Sequence, residues 1–384
     1  MDSTCILGPE EELILCCAHT EIGPLSEEKI FSLVNADLDW EYIMNFAEVH
    51  KLKPILYWNL NRLHVNLPTS INDKLRNYFN KNIQKNLLLF AELKRLLELI
   101  NFNGIIAIPY KGPVLAIKTY SNLGLREFND LDIYIDKQDV INVKEILLSE
   151  GYKPKIKLKM SEVVKFIKTH RELKFFKNGF AVEIHWNFHG LFFSLPKDQQ
   201  VWDENKKILI DLGSFSVINP QFDDLFLILC QHNAWHRWSR LSWLVDINEL
   251  INSEHINWSE IIIKSEKLHM KRIILINLCL SNFFFGTELP KEIISEIKND
   301  NKLKIIQKYF VQRIIKGGVS KNLLEELFTT IKLRDNYYYG LKDVIKSIIT
   351  PGTPEWDQFH FPYFLWSLYY VFRPFNLLIK YKWK

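Results

Sequence analysis

The sequence predicts an α+β protein, with a mixed sheet in the middle of the chain between two helical regions. Apolar residues recur at helical spacing through residues 1–103. After Asn103-Gly104 the period changes to that of strands alternating with short helices, and it stays mixed to about residue 219. From Pro220 onward the spacing is helical again. The expected organisation is an N-terminal helical region (1–103), a central region (104–219) and a C-terminal helical region (220–384). A chain of 384 residues is long for one compact core, so more than one is expected.

In the first region, Ser26 opens S-E-E-K, a capping residue followed by acidic groups that suit a first helical turn. DWEYIMNFAEVHKLKPILYWNL reads as helix, broken near Pro54. From about Ile71 to Ile100 one long amphipathic helix is expected, with Leu87, Phe90, Leu93, Leu97 and Ile100 on its apolar stripe.

In the centre, IIAI (105–108) reads as a short buried strand, followed by Tyr110-Lys111-Gly112-Pro113 and a helix through Tyr120. Pro113 suits a first helical position. LREFNDLDIYI then runs from a loop into a strand at Asp132–Ile135, and VINVKEILLSEG is a helix stopped by Gly151. In ELKFFKNGFAVEIHWNF, Asn178-Gly179 between two alternating runs predicts a tight hairpin. ILIDLGSFSVI supplies a further strand pair. Beyond Pro220, one helix is expected from Asp223 to about Leu250, then Ile/Leu-rich segments, a turn at Gly317-Gly318 and an aromatic tail.

Bulk composition narrows the class. With 47% apolar and 14% aromatic residues the chain reads as a packed globular protein rather than a disordered one. A net charge of +4 does not by itself call for nucleic acid. Five cysteines, Cys5, Cys16, Cys17, Cys230 and Cys279, form no C-x-x-C pair, which argues against a zinc knuckle or a disulfide framework. The N-terminus lacks a basic region followed by an apolar run, so no signal peptide is expected. No apolar stretch approaches the roughly 20 residues needed to span a bilayer, and the cytoplasm is the expected location.

The chemistry gathers in the centre. Residues two apart on a strand share a face, so Asp130 and Asp132 point the same way while Leu131, Ile133 and Ile135 point into a core. Two like charges side by side repel unless water or a divalent cation separates them. On the second strand of the hairpin Glu183, His185 and Asn187 share one face, and Val182, Ile184 and Trp186 the other. Three hard carboxylates suit Mg²⁺ or Mn²⁺. Two such ions can bridge a triphosphate and stabilise both oxygens of an in-line displacement. The helix start after Lys111-Gly112 would offer backbone N–H groups to phosphate oxygens.

These residues resemble the nucleotidyltransferase superfamily that includes DNA polymerase β. In that superfamily a Gly-rich strand–helix turn precedes a D-x-D strand, and a third carboxylate lies on a later strand. The chain is more closely similar to its bacterial branch of uncharacterised nucleotidyltransferases (the NTP_transf_5 type). The matching elements are YKGPVLA (110–116), LREFNDLDIYI (125–135), VEIHW (182–186), HNAWHRWSRLSWLVDI (232–247) and FPYFLWSLYYVFRP (361–374), in order over nearly the whole chain. One departure is that Lys111-Gly112-Pro113 replaces the usual Gly-Ser, and Pro113 removes one N–H donor from the phosphate turn.

The resemblance implies a polymerase β-like sheet, with residues 104–219 as the catalytic core. It implies metal-dependent transfer of an NMP group from an NTP, with ATP the expected nucleotide, to a small molecule or peptide in a bacterial biosynthetic or modification pathway. Asp130, Asp132 and Glu183 would be the metal ligands and catalytic residues. Lys111, Gly112 and Arg126 would bind phosphates, although Arg126 could equally form a structural bridge. His185, His232, His236 and Arg240 are acceptor-side candidates, although His185 could equally orient Glu183 or be a hydrogen-bonded core histidine. His232 and His236 lie four apart, as metal ligands can, but no third ligand is evident and a structural or substrate-lining role is favoured. A tRNA acceptor, and a non-catalytic module binding a nucleotide or partner, remain the alternatives. The basic, aromatic tail is expected to pack on the helical region rather than to lie in a membrane interface. The sequence leaves the oligomeric state open.

Overall fold

The chain's centre is a five-stranded mixed sheet built from β1 (Ile108–Pro109), β2 (Asp130–Tyr134), β3 (Lys153–Pro154), β4 (Glu172–Lys177) and β5 (Phe180–His185), in the order β1-β2-β5-β4-β3. β2 and β5 are parallel and the other neighbours antiparallel. A separate ribbon pairs β6 (Lys207–Asp211) with β7 (Ser216–Pro220). The computed structural model describes residues 7–188, 207–317, 323–359, 361 and 365–382. Cys5, Gly318 and the Pro362–Phe364 part of the tail motif lie outside them.

The α+β organisation expected of a polymerase β-like nucleotidyltransferase is observed, with these strands flanked by helices on both sides in sequence. Val182, Ile184 and Trp186 face a buried apolar layer together with Leu131, Ile133 and Ile135. The opposite face carries the polar groups. Asn178 and Gly179 both adopt positive φ, 49° and 83°, which is the backbone a two-residue hairpin needs.

Several element boundaries differ from the sequence reading. The first strand is not residues 105–108 but only Ile108–Pro109, because β1 is an edge strand that meets β2 at just two positions and Ile106 is exposed. The D-x-D strand begins two residues earlier than expected, at Asp130, since β5 pairs with it from Ala181 onward. Ser26 is not the cap: its helix spans Pro24–Val34 with Gly23 at the N-cap, because Pro24 suits a first helical turn.

The long helix runs Thr69–Phe102, and Leu87 faces solvent. Its inward positions include Asn82 and Asn86 instead, whose side-chain amides donate to the carbonyls of Leu123, Gly124 and Arg126. An apolar-only stripe could not register those two positions. The expected Asp223–Leu250 helix is two helices, Phe222–Trp235 and Ser242–Ser253. Between them Arg237 and Trp238 adopt positive φ, and Trp238 is fully buried with its indole N–H donating to Asn277. That buried indole bond fixes the turn against helical continuation.

The buried apolar residues form two clusters. One joins the N-terminal helices up to Phe79 with residues 225–314. The other joins the second half of the long helix to the sheet and to Trp356, Trp366 and Tyr369. The aromatic tail forms the helix Leu368–Lys382, which continues through Pro374. It packs against the helix Tyr337–Ile349 as expected, and also closes over the helix Met160–Thr169, where Phe166 meets Trp356 at 5.9 Å and Trp356 stacks on Tyr369 at 4.4 Å.

Candidate active site

The parallel pairing of β2 with β5 sets Asp132 directly beside Glu183 and Tyr134 beside His185. Side-chain atoms of Asp132, Glu183 and His185 that can ligate a metal lie within 4.8 Å of one another. His185 Nε2 is 3.0 Å from Asp132 Oδ1 and 3.5 Å from Glu183 Oε2, while Nδ1 faces Glu172 at 3.5 Å. Of the roles open to His185 from the sequence, the fold fits the orienting or hydrogen-bonded core one, with its ring buried among the carboxylates. Asp130 shares the face of Asp132 but stands at the margin of this group, partly exposed.

Lys174, on β4, was not singled out from the sequence. The hairpin register places it across from Glu183. Its Nζ is 2.5 Å from Glu183 Oε1 and 3.4 Å from Asp130 Oδ2. Counting back from Asn178-Gly179 would have found it, since a two-residue turn fixes which residues face each other. Lys111 reaches the same cluster from the turn before the helix Pro113–Tyr120, with Nζ 3.6 Å from Asp132 Oδ1. Gly112 has φ 55° and ψ −125°, and a Cβ there would stand 3.3 Å from the carbonyl oxygen of Asp130. The turn thus needs glycine to lie this close to the D-x-D strand.

Charge balance explains the titration of each group. Burial, followed by the charges of Asp132 and Glu183, raises the Asp130 pKa to about 6. Burial would raise Asp132 as well, but Lys111 and the hydrogen bond from His185 outweigh it and hold that carboxyl well below its usual range. Glu183 is likewise held low against burial, chiefly by its hydrogen bond with His185. Burial disfavours the imidazolium of His185, yet its bonds to Asp132 and Glu183 raise it to about 9. Two unit charges about 4 Å apart repel by roughly 4 kcal/mol at the effective dielectric near a protein surface. Three carboxylates this close therefore require cations, and Asp130 stays hard to ionise even with Lys174 and Lys111 present. The oxygen-rich donor set and the crowding of three carboxylates fit a divalent ion.

Arg126 is buried and forms a two-point bridge with Asp246, Nε to Oδ1 at 2.8 Å and Nη2 to Oδ2 at 2.9 Å. Tyr120 donates to the same carboxylate at 2.6 Å. This ties the loop before the D-x-D strand to the helix Ser242–Ser253. Arg126 also lines the cleft that holds Asp130, Asp132, Glu183 and Lys111.

The far wall of that cleft carries His232, His236 and Arg240. Helical spacing aligns only His232 and His236, whose rings lie 4.6 Å apart across the last turn, since the helix ends at Trp235 and Arg240 lies beyond it. Trp243 gathers all three, with ring centroids 5.0 Å from His232 and 4.8 Å from His236, and the Arg240 guanidinium 5.2 Å away. His236 is exposed to the cleft but lies deep in its concave wall, and desolvation followed by the charges of Arg171 and Lys111 lowers its pKa to about 3. Desolvation and Lys111 lower that of His232 as well. Both imidazoles are neutral at pH 7. The Arg171 guanidinium lies 4.4 Å over Trp235 on the same wall.

A family model described as an uncharacterised nucleotidyltransferase matches residues 36–286. No curated protein and no solved structure matches the chain.

Proposed function

Because the chain belongs to the uncharacterised nucleotidyltransferase family, we propose that it moves an NMP group from an NTP, with ATP the expected nucleotide, to a small-molecule or peptide acceptor. The observation that carries this is the in-register pair Asp132 and Glu183, with His185, in one cleft with the Lys111-Gly112 turn.

Asp132 and Glu183 would hold the ion, with Asp130 and His185 at its margins. When bound, Mg²⁺ or Mn²⁺ supplies charge compensation for the triphosphate and for the leaving pyrophosphate. Lys111 and the backbone at Gly112 bind phosphate oxygens, and Arg126 adds a fixed positive charge on the same side. As the acceptor hydroxyl oxygen attacks the α-phosphorus its proton passes to a carboxylate of the cluster, for which Asp130, its pKa raised to about 6, is better suited than Glu183. The new O–P bond forms as the bond to the β-phosphate oxygen breaks, and pyrophosphate carries the electron pair away. His232, His236 and Arg240 would orient a polar or anionic acceptor through neutral nitrogens and one cation.

The cleft, about 1230 Å³, exceeds the roughly 300–1,000 Å³ of a pocket for one drug-sized ligand. That supports room for a nucleotide and part of an acceptor together. Bacterial biosynthesis or modification is the setting this reading implies. No helix among the described residues is long and apolar enough to cross a membrane.

Incubating the protein with Mg²⁺ and each α-labelled NTP, with fractionated cell extract as acceptor, tests the reading. Label should move from the nucleotide into a low-mass or peptide fraction. Label found only in RNA selects the tRNA alternative, and nucleotide binding without transfer in any fraction selects the non-catalytic one.

A further inference from the structure

Lys174 presents its ammonium to two carboxylates at once. It stands across the β4–β5 pair from Glu183, 2.5 Å from Oε1, and reaches Asp130 Oδ2 at 3.4 Å. The nitrogen therefore spans the two acidic groups that flank Asp132. The side chain is about a quarter exposed, 26%, and sits on a flexible four-carbon stem, so it has somewhere to go. His185 serves Asp132 and the other oxygen of Glu183, and Lys111 serves Asp132. Lys174 is the cation that Glu183 and Asp130 share.

A divalent ion on Glu183 would meet that ammonium on the same carboxylate. Mg²⁺ binds oxygens at about 2.0–2.1 Å and tolerates little distortion of its shell. Two cations crowded onto one low-dielectric group repel. We propose that Lys174 is a displaceable counter-cation, which holds Glu183 and Asp130 while no metal is bound and must leave Glu183 before a divalent ion can use both. The proposal rests on the metal-dependent reading above. It differs from a fixed orienting role, in which Lys174 would stay on Glu183 and help the ion to bind.

Mn²⁺ titration without nucleotide, read by the loss of free-ion electron paramagnetic resonance signal, separates these roles. Lys174→Met should bind Mn²⁺ at least about tenfold more tightly than the parent, since the competing charge is gone. Its melting temperature in EDTA should fall and should recover when Mn²⁺ saturates. Lys174→Arg keeps the charge and should stay near the parent affinity. Lys174→Gln repeats the neutral test should the Met variant fail to fold by circular dichroism. Unchanged or weaker Mn²⁺ binding by a folded neutral variant overturns the proposal, as does a tenfold gain in Lys174→Arg. Absence of Mn²⁺ binding in parent and variants alike overturns the metal reading itself, and the proposal with it.

Discussion

At the residue scale, Asp132 and His185 set the pH behaviour of the metal-free protein. The folded pKa of His185, about 9, lies above its usual 6.5. Its stabilisation is therefore complete below pH 6.5 and is lost as pH rises through 9, at up to about 1.4 kcal/mol per pH unit. Asp132 works in the opposite direction: its folded pKa is depressed, so its contribution is present above about pH 4 and lost on acidification below that. Urea denaturation in EDTA should show stability falling from pH 6.5 to 9, and His185→Asn should flatten that slope. A flat parent profile would refute the imidazolium assignment. Much of this was legible in the sequence: alternation on two strands puts Asp130 with Asp132, and Glu183 with His185. The parallel register between those strands was not, because the pairing of β2 with β5 skips over two helices, β3 and the hairpin's first strand.

At the element scale, the Lys111-Gly112 turn depends on one glycine. Gly112→Ala introduces a Cβ at φ 55° and 3.3 Å from the Asp130 carbonyl oxygen, and should cost about 1–3 kcal/mol in thermal unfolding. The KM for the nucleotide should rise more than that for the acceptor, because the displaced backbone belongs to the phosphate side. The loop before the D-x-D strand hangs on Asn82 and Asn86. Asn86→Leu strands the carbonyl of Leu123, leaves that of Arg126 only the longer bond from Asn82, and should cost about 1–3 kcal/mol. Apolar periodicity located that helix and missed the two asparagines, since burial of a polar side chain depends on carbonyls over 35 residues away. The break at Arg237 and Trp238 was equally hidden, as neither glycine nor proline marks it.

At the scale of the whole molecule, the Arg126–Asp246 bridge joins the loop before the D-x-D strand to the helical wall that faces it. Removing one partner leaves a buried charge alone, so Asp246→Ala should cost about 3–5 kcal/mol, whereas the double replacement Arg126→Met with Asp246→Leu should recover much of that. Cavity walls drawn from residues 110–188, 228–246 and 346–379 are a tertiary product that no local pattern announces. The tail shows why: Trp356, Trp366 and Tyr369 bury themselves in the sheet's core though they lie far from it in sequence. Across the cleft, His236→Ala and Arg240→Ala should raise the acceptor KM more than the nucleotide KM. Equal effects on both substrates would assign that wall to structure.

Nucleotidyl transfer is proposed to depend on a divalent ion held by Asp132 and Glu183. Pyrophosphate release from the NTPs, with extract as acceptor, tests it most directly in the parent and in Asp132→Asn. Release should require Mg²⁺ or Mn²⁺, stop with EDTA, and fall by at least about a thousandfold in the variant, roughly 4 kcal/mol of transition-state stabilisation, with the circular dichroism spectrum unchanged. Pyrophosphate release by the folded variant at the parent rate, or release undiminished by EDTA, would contradict it.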